Sequence, residues 1–256
     1  MMHTPSHGSD DATPSAFFSG VTGRGVRVGV IDSGVHAAHP HIVRVAGGAS
    51  VAMNGRLEEG VYPDTLGHGT AVMAAIQEKA PAAEYFAIRV FQDSLRTTGA
   101  CLVRAIDWCI DQKMDVVNLS LGSANSAHGE SFTDAADRAL RAGTLLAAAR
   151  EADGQPCYPG CLPMVFSVGL DWDCPRDRYR CEVTGEDAVF YASGYPRPAP
   201  GVPARRNLHG ISFAVANMTA FIVRACEAGD GAKSGADRAR YISDLLKRGC
   251  AASITI

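Results

Sequence analysis

Three residues of this 256-residue chain have the types and spacing that covalent acyl transfer needs: Asp32, His68 and Ser212. A serine hydroxyl becomes a useful nucleophile beside a base that takes its proton, and the base works best when a carboxylate fixes its tautomer and stabilises its cation. Each of the three sits among glycines. Residues 30–34 read Val-Ile-Asp-Ser-Gly, residues 67–70 read Gly-His-Gly-Thr, and residues 210–214 read Gly-Ile-Ser-Phe-Ala. Taken singly, each also fits a structural role: Asp32 as a strand-end turn residue, His68 in a first helical turn, Ser212 as an N-cap.

The elements that must position them are legible from pattern. Residues 26–31, Val-Arg-Val-Gly-Val-Ile, form a β-branched run that predicts a buried strand. It delivers Asp32 to the carboxyl end, where α/β sheets place function. The helix formers after Gly67 put His68 in the first turn of a helix. Residues 85–91 predict a strand, and residues 100–112 a helix with Leu102, Ile106, Cys109 and Ile110 along one face. A strand at 115–121, a helix at 132–142 and strands at 144–149 and 164–170 continue the alternation. After a loop rich in Pro, Gly and Arg at 194–207, Ser212 opens a long apolar helix, and 237–247 predicts a last one. The expected fold class is α/β, with three layers: a mostly parallel central sheet and helices on both faces. No repeat or linker divides the chain, so the expected organisation is a flexible segment 1–19 and a single domain 20–256.

The order Asp, His, Ser and the wording of the three segments, with His39 and Pro40 after the first, resemble the signature segments of the subtilase family. The likeness continues through 87–108, through Met-Asp-Val-Val-Asn-Leu-Ser-Leu-Gly at 114–122, through Tyr-Pro-Gly at 158–160 and through 165–169, and so covers roughly residues 25–228. It implies a subtilisin-like fold and a serine endopeptidase. Ser212 would attack a peptide carbonyl, His68 would shuttle the proton and Asp32 would orient His68. It also implies that an extended peptide binds by strand addition. Leu119, Ser120, Leu121 and Gly122 would lie on one side of that peptide, and the stretch with Leu95, Thr97 and Gly99 on the other. Cys157 stands where the family often has Gly and makes the first specificity pocket shallower, which favours a small or medium apolar residue before the cut.

Two departures from the family pattern bear on rate and cofactors. Subtilases usually carry an Asn after an Ala-rich strand, whose amide donates to the oxyanion; here residues 147–154 read Ala-Ala-Ala-Arg-Glu-Ala-Asp-Gly. Glu151 or Ala152 falls at the position, depending on the alignment. A protonated Glu151 or Asp153 is a candidate replacement donor, beside the Ser212 backbone N–H at its helix N-terminus. Removing the Asn donor from subtilisin costs about 10²–10³ in kcat. The Thr that commonly precedes the family's Ser is Ile211 here. The calcium loop after the His helix is replaced by the short Ala-Ile-Gln-Glu-Lys-Ala-Pro at 75–81, and His41 stands where a carboxylate ligand is common. Calcium wants six to eight oxygens, so no calcium, no other metal and no cofactor is expected.

Composition bounds the rest. With 46% hydrophobic and 20% charged residues, the chain can bury a large core. A net charge of −3 without long like-charge runs gives no reason to expect nucleic acid or a membrane surface as partner. The N-terminus lacks a secretory signal pattern, and no window reaches the length of apolar residues that spans a bilayer, so a cytoplasmic location is expected. In that compartment the eight cysteines are expected mainly as thiols, with Cys101, Cys109 and Cys226 as core packers. For Cys157, Cys161, Cys174 and Cys181, local disulfides and a zinc site are the alternatives. With no prosegment in sight, the chain is similar to the intracellular processing peptidases of peptide natural-product pathways, such as cyanobactin maturation. The expected function is narrow-specificity cleavage of a leader or precursor peptide. The competing readings are a peptide-binding pseudoprotease with an impaired oxyanion hole and a transpeptidase or macrocyclase.

Overall fold

The computed structural model describes residues 17–152, 154–185, 187–229 and 235–251. Its centre is a nine-stranded sheet in the order β10-β11-β9-β6-β5-β1-β4-β2-β3. The strands are β1 (Arg27–Asp32), β2 (Gly47–Val51), β3 (Leu57–Glu59), β4 (Glu84–Arg89), β5 (Val116–Leu119), β6 (Leu145–Ala149), β9 (Phe166–Leu170), β10 (Tyr179–Thr184) and β11 (Asp187–Ala192). All neighbours pair in parallel except the two edges, β10 against β11 and β3 against β2. The two-residue strands β7 (Glu151–Ala152) and β8 (Gln155–Pro156) form a separate hairpin.

Among the described residues, five α-helices complete the three layers: α1 (His68–Gln77), α2 (Gly99–Asp111), α3 (Gly129–Ala142), α4 (Ile211–Ala228) and α5 (Gly235–Ala251). The period-2 alternation of the strands divides their side chains between two cores. Val28, Val30, Val116, Leu145 and Ala147 face α1, α4 and α5, whereas Ile31, Val117, Leu119, Leu146 and Ala148 face α2 and α3. β1 lies between β4 and β5: the chain runs from β1 to β2 on one side, and from β4 it crosses past β1 to β5 on the other. That is the switch point where open α/β sheets form a crevice.

The strands and helices expected from pattern are present, with ends moved by a few residues. The sheet is wider than expected. Gly47 and Gly48 hide β2 from propensity, but a Cβ on Gly48 would lie 2.1 Å from the Ala87 carbonyl oxygen, so close pairing with β4 excludes any side chain there. β10 and β11 are masked by their half-exposed, polar edge character. Among the described residues one helix, α4, is long and apolar enough to cross a bilayer, contrary to the sequence reading. Its 18 residues have a mean hydropathy of 1.3, and 72% of them are buried inside the protein, as befits a helix packed on all sides.

All eight cysteines are thiols. Cys101 and Cys109 are buried as expected, and Cys226 is partly buried against the core. α4 carries the densest packing: Phe221 is fully buried with its ring 4.8 Å from that of Tyr179. Truncation of Phe221 to Ala is expected to cost about 3–5 kcal/mol by transfer and cavity terms together, read as a lowered denaturation midpoint in urea. A loss under about 1 kcal/mol would show that α4 is not the centre of the core.

Candidate active site

β1 ends at Asp32, whose side chain is fully buried. Its Oδ1 lies 2.7 Å from His68 Nδ1 and accepts from the backbone N–H of Ser33 at 2.8 Å and the Ser33 hydroxyl at 3.3 Å. His68 opens α1, so the helix start carries the imidazole to the strand end. Two glycines permit this approach. Gly34 has φ +97°, and a Cβ there would stand 2.7 Å from the Tyr62 carbonyl oxygen; a Cβ on Gly69 would stand 2.4 Å from the Gly34 carbonyl oxygen. The Gly of Asp-Ser-Gly and the Gly of His-Gly-Thr are therefore where the strand end and the helix start touch.

A second carboxylate, not singled out in the sequence, organises the same junction. Asp64 Oδ1 accepts from the Ser33 hydroxyl (2.8 Å) and the N–H groups of Leu66 (3.0 Å) and Gly67 (2.8 Å). Its Oδ2 accepts from the Thr70 N–H (2.8 Å) and hydroxyl (2.7 Å). Asp64 thus takes the Gly67 and Thr70 N–H groups at the start of α1, and Ser33 Oγ takes that of Gly69, a capping role that the Gly67 side chain cannot fill. The signal was an acidic residue four positions before His68, at a place where helix N-termini prefer negative charge.

Burial by itself lowers the His68 imidazole pKa, but the hydrogen bond and charge of Asp32, with the charge of Asp64 behind them, outweigh it. The net shift is upward from the ordinary value of 6.5. Burial likewise pushes Asp64 up, and the hydrogen bonds from Thr70 and Ser33 bring it below the ordinary carboxylate value. By linkage, protonated His68 stabilises the fold below pH 6.5, and that contribution is lost as pH rises through the raised value.

Ser212 lies in the first turn of α4, where backbone N–H groups lack intrahelical partners. The next residue, Phe213, packs its ring 5.6 Å from that of His68. The Ser212 hydroxyl donates to the Ser120 carbonyl oxygen at 2.9 Å, not to His68. A buried relay holds these elements together: Thr219 of α4 donates to Asn118 Oδ1 at 2.9 Å, and Asn118 Nδ2 donates to the Ser120 hydroxyl at 2.7 Å. Asn118 was readable as an anomaly, a polar residue inside Val-Val-Asn-Leu that burial obliges to find partners.

The expected binding residues fall on two sides of this point. Leu119 ends β5, and Ser120, Leu121 and Gly122 follow it up to Ser123, which pairs with Tyr158. Gly122 packs on Cys157: a Cβ on Gly122 would be 2.7 Å from Cys157 Cβ, and Cys157 is buried. Leu95 is 53% exposed, Thr97 is half-buried, and Gly99 begins α2, capped by the Thr98 hydroxyl. Glu151 and Ala152 lie with exposed side chains on the β7–β8 hairpin; Asp153 lies outside the described residues. The hairpin's amide side chain is that of Gln155, exposed and paired in register with Ala152. Among the described residues no cluster of His, Cys, Asp or Glu is arranged to hold a metal ion.

The arrangement provides a base oriented by a buried carboxylate, a serine at a helix N-terminus, and, one residue past the end of β5, the Ser120 carbonyl that accepts from the Ser212 hydroxyl. Residues 23–170 match the Subtilase family. Subtilisin E of Bacillus subtilis (strain 168) is 29% identical over 223 residues, which cover 80% of this chain and 54% of that protein. A thermostable alkaline protease of Halalkalibacterium halodurans is 35% identical over 167 residues, 61% of this chain and 44% of that protein. The chain thus spans about half the length of these curated relatives. A crystal structure of a lanthipeptide protease superposes with a TM-score of 0.65 at 18% identity, over 84% of this chain and 78% of that one, a likeness of fold.

For a base that must be neutral, the rate of acyl transfer falls as pH drops through the raised His68 pKa. Asp64→Asn removes one of the charges that raise it, so the acid limb of the pH–rate profile is expected to move to lower pH; an unmoved limb would refute the coupling. Gly69→Ala is expected to slow labelling of Ser212 by a fluorophosphonate about 10²-fold, because the added Cβ wedges α1 away from the Asp32 turn. A labelling rate within a factor of two of wild type would show that the contact is not constraining.

Proposed function

The chain belongs to the subtilase family, and from that premise we propose that it is a serine endopeptidase acting in the cytoplasm on a leader or precursor peptide. Ser212 is the nucleophile, His68 the general base and acid, and Asp32 the group that orients His68. The observation that carries this reading is the buried 2.7 Å contact between Asp32 and His68 beside the N-terminus of the helix that bears Ser212. A peptide lying extended along residues 119–122 offers its N–H to the Ser120 carbonyl, which frees the Ser212 hydroxyl to turn to His68. The carbonyl under attack then lies at the start of α4, whose orphan N–H groups favour the developing oxyanion.

Three features support narrow specificity over general digestion. Cys157 closes on Gly122, leaving less room for a large side chain before the cut. Glu151 and Ala152 provide no amide donor, so turnover depends on the Ser212 N–H and on any help from Glu151, Asp153 or Gln155. The solved structure whose fold this chain shares is that of a lanthipeptide protease. The position of the Ser212 hydroxyl on Ser120 also supports a second reading, a peptide-binding homologue with little turnover.

A fluorophosphonate is expected to add once to the wild-type protein and not at all to Ser212→Ala, read by intact mass; an unreactive wild type at neutral pH would select the second reading. With the cognate precursor, two linear fragments are expected and unfolded casein should stay largely intact. A product shortened by one water would reveal transpeptidation instead.

A further inference from the structure

Edge strand β10 and the last helix, α5, meet at two cysteines that the proposed peptidase chemistry leaves unused. Cys181 and Cys250 are 69 residues apart, yet the Cys181 backbone N–H donates to Cys250 Sγ at 3.1 Å. That contact sets Cys250 Sγ against the residue bearing the Cys181 thiol, and Cys181 packs on the same core cluster that holds Cys250. Their approach is fixed by the packing around them. Tyr179, on the same strand, donates its hydroxyl to the Leu246 carbonyl oxygen at 2.7 Å, and Ala239, Ile242, Leu246 and Cys250 of α5 are all buried in the core. Cys250 is 3% exposed, whereas Cys181 is partly exposed. Cys174, the cysteine nearest to Cys181 in sequence, turns its thiol instead toward the carbonyls of Pro175 (3.6 Å) and Arg178 (3.5 Å).

The two sulfurs are chemically unequal. The hydrogen bond from the Cys181 thiol holds Cys250 below the ordinary thiol value; burial opposes this, and the Cys181 backbone N–H adds to the lowering. The same contact, together with burial, pushes Cys181 well up. Cys250 is therefore the sulfur that carries thiolate character, and Cys181 is the resolving partner beside it.

We infer that Cys181 and Cys250 are a modification site at which a peroxide closes a disulfide between β10 and α5. The Cys250 thiolate attacks one oxygen of hydrogen peroxide and becomes a sulfenic acid, releasing the other oxygen as hydroxide, which takes up a proton as water. Cys181 gives its proton to solvent, its sulfur attacks Cys250 Sγ, and the sulfenic oxygen leaves as a second water. Two thiols are thus oxidised by two electrons and one peroxide is reduced to two waters. A small oxidant suits a thiolate as enclosed as Cys250. The new bond closes a loop of roughly 70 residues that includes α4, and it fastens the helix covering that core to the sheet edge.

The test uses the full chain carrying Ser212→Ala, so that self-cleavage plays no part and the result is independent of the peptidase reading. After treatment with hydrogen peroxide, the protein is blocked with iodoacetamide and mapped by peptide mass. A peptide joining Cys181 to Cys250 is expected, together with a melting temperature raised by about 4–16 °C and restored by dithiothreitol. Added Cys181→Ser or Cys250→Ser should abolish both effects, and the partly exposed position 181 gives a variant that keeps the buried end of α5 intact. Full alkylation of both cysteines, a linkage of Cys181 to Cys174, or a linked protein that melts no higher would each overturn the inference.

Discussion

A carboxylate with no exposed surface keeps its charge only if donors replace the water it has lost, and Asp32 is such a group. Its Oδ1 gathers the His68 imidazole, the Ser33 N–H and the Ser33 hydroxyl, while its Oδ2 has no partner among the described residues. The imidazole is thus needed twice, as partner to a buried charge and as base. Breaking one side of such a pair costs about 3–5 kcal/mol, which makes the same contact a constraint on folding and on chemistry.

The surrounding structure reads as the means of holding that contact. Ser33 takes part in both carboxylate networks, because its hydroxyl bridges Asp32 and Asp64 and accepts from the Gly69 N–H at 2.8 Å. Asp64 caps α1 where Gly67 cannot. Glycines at 34 and 69 remove the Cβ atoms that would separate strand end from helix start. On the far side, the relay from Thr219 through Asn118 to Ser120 ties α4 to β5. The two sides also brace each other: β1 pairs with β5, Phe213 of α4 packs on His68 of α1, and Lys79 just past α1 donates to Asn217 of α4 at 2.8 Å.

The family likeness and the departures from it belong to different levels of the architecture. Sheet order, helix placement and the carboxylate–imidazole contact are held by burial, where few alternatives satisfy packing and polar groups together. The β7–β8 hairpin and the segment around Leu95 sit on exposed connections, where residues change without unfolding the core, whereas Cys157 beside them is buried.

The sequence by itself determined the parts whose physics is local. β-branched runs made β1 and β5, a short apolar run of Leu and Ala made β6, helical spacing made α2, a long apolar run made α4, and three glycine-bearing segments announced Asp32, His68 and Ser212. Asp64, Asn118 and Thr219 were open to the same reading only as polar residues in places that demand a partner, and nothing local says which partner. Only the tertiary structure decided that Asp64 braces the base, that the Ser212 hydroxyl rests on Ser120, that glycine-rich 47–48 forms an inner strand, and that Cys181 meets Cys250 and not Cys174. Each of these depends on segments far apart in the chain coming within hydrogen-bonding distance. Sheet order and helix docking set those distances, and periodicity carries no information about them.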